Sequence, residues 1–126
     1  MLFREVFMKM HKDVEDWIKV LCSSGFTVIL FGSRARGEAR IDSDWDLIVI
    51  GSGQAIEPPN DLVQVYFTDT LTAEAEIMKF NTLFVDAFHE GKLICGDFEL
   101  FNRLRVLAFE RTRGFMKTRN GWIKAD

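Results

Sequence analysis

Two cysteines, two histidines, two prolines and the lack of any long apolar run exclude much before any motif is read. Cys22 and Cys95 lie far apart and lack metal-ligand spacing. They are expected to be separate buried thiols in a reducing compartment; a disulfide would fit only a source that lives very hot. His11 falls on a charged helix face and His89 near a helix end. Neither has a partner at metal or triad spacing, so both read as surface residues. No stretch reaches the ~18 to 20 uninterrupted apolar residues of a membrane span. The first residues, MLFREVFMKMHKDVEDW, mix charges into their apolar positions, unlike a secretory signal. The expectation is a soluble, cytoplasmic chain without a membrane partner.

A chain of 126 residues can bury one hydrophobic core without staples, which suits a single domain. Its 48% apolar content and 12 phenylalanines exceed what so small an interior hides, so some rings are expected at a subunit interface. Charge is unevenly spread. Residues 1–102 carry 9 Lys and Arg against 17 Asp and Glu, whereas residues 103–126 carry 7 against 2. A basic end on an acidic body suits docking to something acidic, although a solvated helix face and a frayed end account for it more simply. The acidic body and the lack of a groove-reading element argue against DNA.

The expected elements follow from periodicity. Phe3, Val6, Phe7, Met10, Val14, Trp17, Ile18 and Leu21 recur at helical steps, and Gly25 is a plausible stop. Thr27–Phe31 reads as a buried strand, Trp45–Ile50 as a second and Leu62–Phe67 as a third, with a Pro58-Pro59 loop between the last two. Asp69, Thr70 or Thr72 can cap a helix over about Ala73–Glu90. Leu93–Cys95 is short and extended, and Asp97 can cap a last helix to about Arg113. The division is residues 1–114 as one domain and 115–126 as a basic tail, with Phe115 and Trp122 able to dock. Such alternation points to an α/β or α+β sandwich, a small mixed sheet of three to four strands with helices packed on it.

The informative stretch is LFGSRARGEARIDSDWDLIVI, Leu30 to Ile50. Gly32 follows a strand and lets the backbone approach a bulky anion. Ser33 to Arg36 can open a short helical turn ending near Gly37, whose first amides form a phosphate seat; Arg34 and Arg36 add charge. Alone this signal is weak, and it matches neither the Walker loop nor the dinucleotide fingerprint. Asp44 and Asp46 stand two apart at the entry of a strand and therefore project to one face, while Trp45 and Leu47 pack on the other. The plain structural reading makes Asp44 a turn cap and Asp46 a rim residue. Acids are disfavoured in strands, however, and a pair a dozen residues after a Gly-Ser turn is better explained by Mg²⁺ or Mn²⁺ between them. Glu38 and Asp42, in the intervening loop, read as solvated.

Gly32-Ser33-Arg34-Ala35-Arg36-Gly37 followed by Asp44-Trp45-Asp46-Leu47 resembles the nucleotidyltransferase superfamily that includes DNA polymerase beta. Within it, the length and the GSRARG form look like the minimal nucleotidyltransferases, usually paired with a HEPN-domain partner as toxin and antitoxin. The resemblance implies the polymerase beta-like fold. It places ATP over Gly32, Ser33, Arg34 and Arg36, and divalent metal on Asp44 and Asp46. It also implies transfer of AMP to a hydroxyl, a tyrosine of the all-α partner, with the chain acting as antitoxin. The family usually adds a third carboxylate from the next strand. No acid lies in the middle of that strand here; Asp61, at its entry, is the best candidate for catalysis and metal, and equally a turn residue. The alternative is a weak or inactive binding subunit that neutralises its partner by contact. An antibiotic-modifying adenylyltransferase ranks last, because the chain has no room for an acceptor domain. Leu100, Val106 and Phe109, off the main stripe of the last helix, widen its apolar surface and suit a homodimer or an all-α partner.

Overall fold

The computed structural model describes residues 3–125. The first helix, α1 (Phe3–Ser23), buries Val14, Trp17, Ile18 and Leu21, the back half of its periodic stripe. Strands β1 (Thr27–Phe31), β2 (Trp45–Ile50), β3 (Val63–Thr68) and β4 (Lys92–Cys95) form one mixed sheet in the order β3-β2-β1-β4. β2 and β3 run parallel, and the other pairs are antiparallel. Four strands meet the upper end of the sequence expectation.

Alternation along the strands feeds two cores. Val28, Leu47, Val49 and Val63 face α1, together with Phe26. Ile29, Phe31, Ile48 and Ile50 face the helices α2 (Thr70–Met78), α3 (Thr82–Glu90) and α4 (Phe98–Arg111). Each strand of the centre is thus covered on both sides, which is why β1 and β2 read as continuous apolar runs. Asp69 and Asp97 cap α2 and α4, accepting from Thr72 N and Leu100 N. No helix among the described residues is long and apolar enough to cross a membrane.

Four sequence expectations change. The helix over 73–90 is two helices. Phe80 adopts φ +61°, and Asn81 restarts the chain by accepting from Leu83 N. The break turns the Phe80 ring toward Phe115 and Trp122. The supposed tail is a hairpin of β5 (Phe115–Thr118) and β6 (Gly121–Lys124), in which Phe115 and Trp122 dock. Asp86 of α3 holds it, accepting from Lys117 Nζ (2.9 Å) and the Trp122 indole (2.8 Å). The two cysteines are not separate thiols: Cys22, near the end of α1, and Cys95, at the end of β4, form a disulfide. Neither histidine is a plain surface residue.

His89 lies under the hairpin, its ring 4.1 Å from that of Phe109 and 4.8 Å from that of Trp122. Thr112 Oγ1 donates its hydrogen to Ala108 O, so Thr112 Oγ1 in turn accepts from His89 Nε2–H at 2.9 Å. Burial pushes the His89 pKa down, against the backbone contact at Ala108 and the charge of Asp86; Arg105 and Lys117 push it the same way as burial. A lowered folded pKa means the unfolded chain binds the proton first. Stability is therefore complete above the ordinary histidine pKa of 6.5 and falls as the pH drops below it. Thermal melts across that range are expected to show the decline in the wild type and a flatter profile in His89→Gln; parallel profiles would refute the assignment.

Candidate active site

The site gathers where β1 ends and β2 begins. β1 delivers Gly32 at φ +76°, a conformation that favours glycine. A second constraint acts on the same atom: a Cβ here would overlap Asp46 Oδ2. Asp46 thus lies directly over the glycine, brought there by the pairing of Phe31 with Asp46. The chain then closes one turn through Arg36 N–H to Gly32 O (3.1 Å) and Glu38 N–H to Ser33 O (2.9 Å). It is a turn rather than the short helix expected. The amides of Ser33, Arg34 and Ala35 have no acceptor among the described residues, which is the signature of an anion seat. Gly32→Ala is expected to cost at least about 2 kcal/mol, from the left-handed backbone and the Asp46 overlap together. Denaturant unfolding measures it, and an unchanged midpoint would contradict the geometry.

Asp44 and Asp46 are brought together as the alternation requires. Asp46 is half-buried, and its pKa is raised chiefly by that burial, then by the charges of Asp44 and Glu90, with Arg36 opposing. Asp44, exposed, precedes the strand by one residue. Two crowded carboxylates with hard oxygen donors, beside free amides, suit a divalent cation accompanied by phosphate. Among the described residues no three His, Cys, Asp or Glu side chains converge as a metal-ligand group.

Asp61 is in the turn before β3 and exposed. The parallel register pairs Asp46 with Gln64, so the side chain beside Asp46 from β3 is an amide. Asp61 is not among the groups whose charge bears on Asp46.

The two arginines part company. Arg36 reaches Glu90, with Nη1 at 2.9 and 3.1 Å from the two carboxylate oxygens, and Nε meets Glu38. Glu38 is thereby engaged rather than merely solvated. Arg34 turns away from the turn's amides. Its guanidinium stacks 4.8 Å from the Trp45 ring centre and donates to Ser43 O (2.9 Å). Burial lowers its pKa and Asp44 opposes this. His11 completes the brace. The Trp45 indole donates to His11 Nδ1 (3.0 Å), so Nε2 carries the proton and donates to Ile41 O (2.7 Å). α1 therefore holds the loop between turn and carboxylates, with Trp45 as the shared member.

Sequence reading missed Glu90, Gln64 and His11 as members of this site. Glu90, the last residue of α3, accepts from Gly32 N–H at 3.1 Å. A groove of about 520 Å³ runs along α4, away from these residues, lined by Asn102, Arg105, Val106 and Phe109.

Residues 26–97 match the family model described as Polymerase beta, Nucleotidyltransferase. No curated protein matches the chain at a significant level. Among solved structures the chain is similar to a crystal structure of a toxin-antitoxin with AMP-PNP, at 18% identity and a TM-score of 0.49, over 79% of this chain and 86% of the other. The matched segment contains β1, the glycine turn and the carboxylate pair whose geometry is described above, and the chain belongs to the polymerase beta nucleotidyltransferase family.

Proposed function

We propose that this chain transfers a nucleoside monophosphate, AMP from ATP, to the hydroxyl of a tyrosine on a partner protein. The observation that carries the reading is Asp46 lying over Gly32, at the start of a turn with free amides and within reach of the Asp44 charge. The amides of Ser33 to Ala35 hold phosphate oxygens, with Arg36 at the rim. Asp44 and Asp46 would hold Mg²⁺ or Mn²⁺, and such an ion would supply a lower pKa for the acceptor hydroxyl and charge neutralisation for the leaving group. The hydroxyl oxygen bonds to the α-phosphorus, the bond to the β-phosphate oxygen breaks, and pyrophosphate leaves; the hydroxyl proton passes to solvent. The residues contribute position and charge rather than a covalent intermediate.

The partner is assigned as an all-α HEPN-type protein that the chain neutralises as antitoxin, inside the cytoplasm where triphosphate is supplied. Val106 and Phe109, 56% and 48% exposed beside Arg105 and Arg113, offer the partner an apolar and basic face; a second copy of the chain is the other occupant. Gln64 beside Asp46 favours a second reading, a weak or inactive subunit that neutralises by contact, the third carboxylate then depending on Asp61 alone.

Incubation with α-labelled ATP, Mg²⁺ and the co-encoded partner separates the two. Label on the partner that is lost in Asp44→Asn supports transfer. Full neutralisation by Asp44→Asn, without label in the wild type, supports contact alone and overturns the enzyme.

A further inference from the structure

The antiparallel register of β1 and β4 pairs Ile29 with Leu93 and Leu30 with Lys92. Carried past the strand ends, it sets Gly32 across from Glu90, and there the carboxylate takes two kinds of donor. One is the Gly32 amide (3.1 Å), at the mouth of the anion seat; the other is the Arg36 guanidinium, reached by both oxygens (3.1 and 2.9 Å). A backbone amide and an arginine at the start of a turn are the donors that phosphate oxygens take. The pair does little for stability. Its side chains are 47% and 26% exposed, and ion pairs so placed contribute little. Asp46 lies against the same glycine, so the Glu90 carboxylate adds a second negative charge beside it.

We propose that Glu90 is a stand-in for substrate phosphate, holding the Gly32 amide and Arg36 in the free protein and yielding both when a triphosphate binds. Glu90 therefore sets nucleotide affinity as an internal competitor. Its flexible side chain swings to solvent when displaced, and Arg36 is handed to the incoming phosphate. The proposal rests on reading the Gly32–Gly37 turn as a triphosphate seat.

The test is calorimetric binding of a non-hydrolysable ATP analogue and of tripolyphosphate at fixed Mn²⁺, to the full chain. Glu90→Gln keeps an acceptor for the Gly32 amide and removes the charge. Both ligands are expected to bind it roughly ten-fold tighter than wild type, the scale of one charge-assisted hydrogen bond no longer surrendered. Glu38→Gln removes the same charge from Arg36 but does not touch Gly32, and its effect is expected to be clearly smaller. The melting temperature of free Glu90→Gln stays close to wild type. Should that variant fold poorly, Glu90→Asp, which shortens the reach, shifts affinity in the same direction. Equal or weaker binding by Glu90→Gln, with wild type still binding, overturns the stand-in and leaves the triphosphate seat. Absence of binding by wild type and variant alike overturns both.

Discussion

Asp46→Asn is expected to abolish nucleotidyl transfer and to raise the melting temperature of the free chain. The two effects have one cause. Asp46 is half-buried and repelled by Asp44 and Glu90, so its charged form is disfavoured in the fold and its pKa is raised. A carboxyl with a raised folded pKa adds stability only at pH low enough to protonate it, and that contribution disappears as the pH rises through the folded pKa. At neutral pH the charge opposes folding, and asparagine removes the opposition while filling the same space over Gly32. The gain should therefore shrink in acid, where wild-type Asp46 is protonated. Transfer, in contrast, needs a charge to hold the cation, and its loss should cost on the order of a thousand-fold, the scale of several kcal/mol of charge stabilisation. Melts at neutral and acid pH, alongside a transfer assay, check the pair of effects. A variant melting below wild type at neutral pH would show that Asp46 supports the fold instead of straining it.

Breaking the Cys22–Cys95 disulfide is expected to give the largest loss of stability. The bond closes a span of 73 residues from the end of α1 to the end of β4, enclosing the anion turn and both aspartates. In the chain-entropy description a closure of that length restricts the unfolded state by about 4 kcal/mol, or roughly 10 to 15 °C in melting temperature for a domain of this size. The bond pins α1 to the sheet edge opposite β3, and α1 carries His11, which braces the loop before Asp44. Melting with and without reductant, and of a Cys22→Ser, Cys95→Ser double variant, measures the effect. Coincident curves would mean that packing against Val28, Leu47 and Val49 holds α1 unaided.

The anion turn and the carboxylate pair were legible because their logic is local. Gly32 ends an apolar strand, and Asp44 and Asp46 share a face through simple alternation, so neither inference needs a partner strand. The helix break at Phe80 was not legible. The apolar period continues across it from Ile77 to Phe84, yet Phe80 and Asn81 close α2 by donating to Ile77 O and Glu76 O around a left-handed residue that is not glycine, and the Phe80 ring docks against the hairpin. The hairpin itself was hidden by its charge, since Lys117 and Arg119 read as solvated until Asp86 of α3 is brought under the first of them. Arg34 illustrates the same limit. Its place in the motif suggests phosphate, whereas the ring of Trp45 and the carbonyl of Ser43 draw it into the loop.

By itself the order of residues determined where the strands of the central sheet lie, the apolar runs of β1 and β2, and the placing of two acids on one face a dozen residues after a Gly-Ser turn. All of these are patterns among near neighbours in the chain. Only the tertiary structure decided that Gln64 is the residue of β3 paired with Asp46, that Glu90 faces Gly32, that Cys22 meets Cys95, and that His11 reaches Trp45. Those pairings join residues far apart in sequence, and their register follows from how strands and helices pack, which no local periodicity encodes.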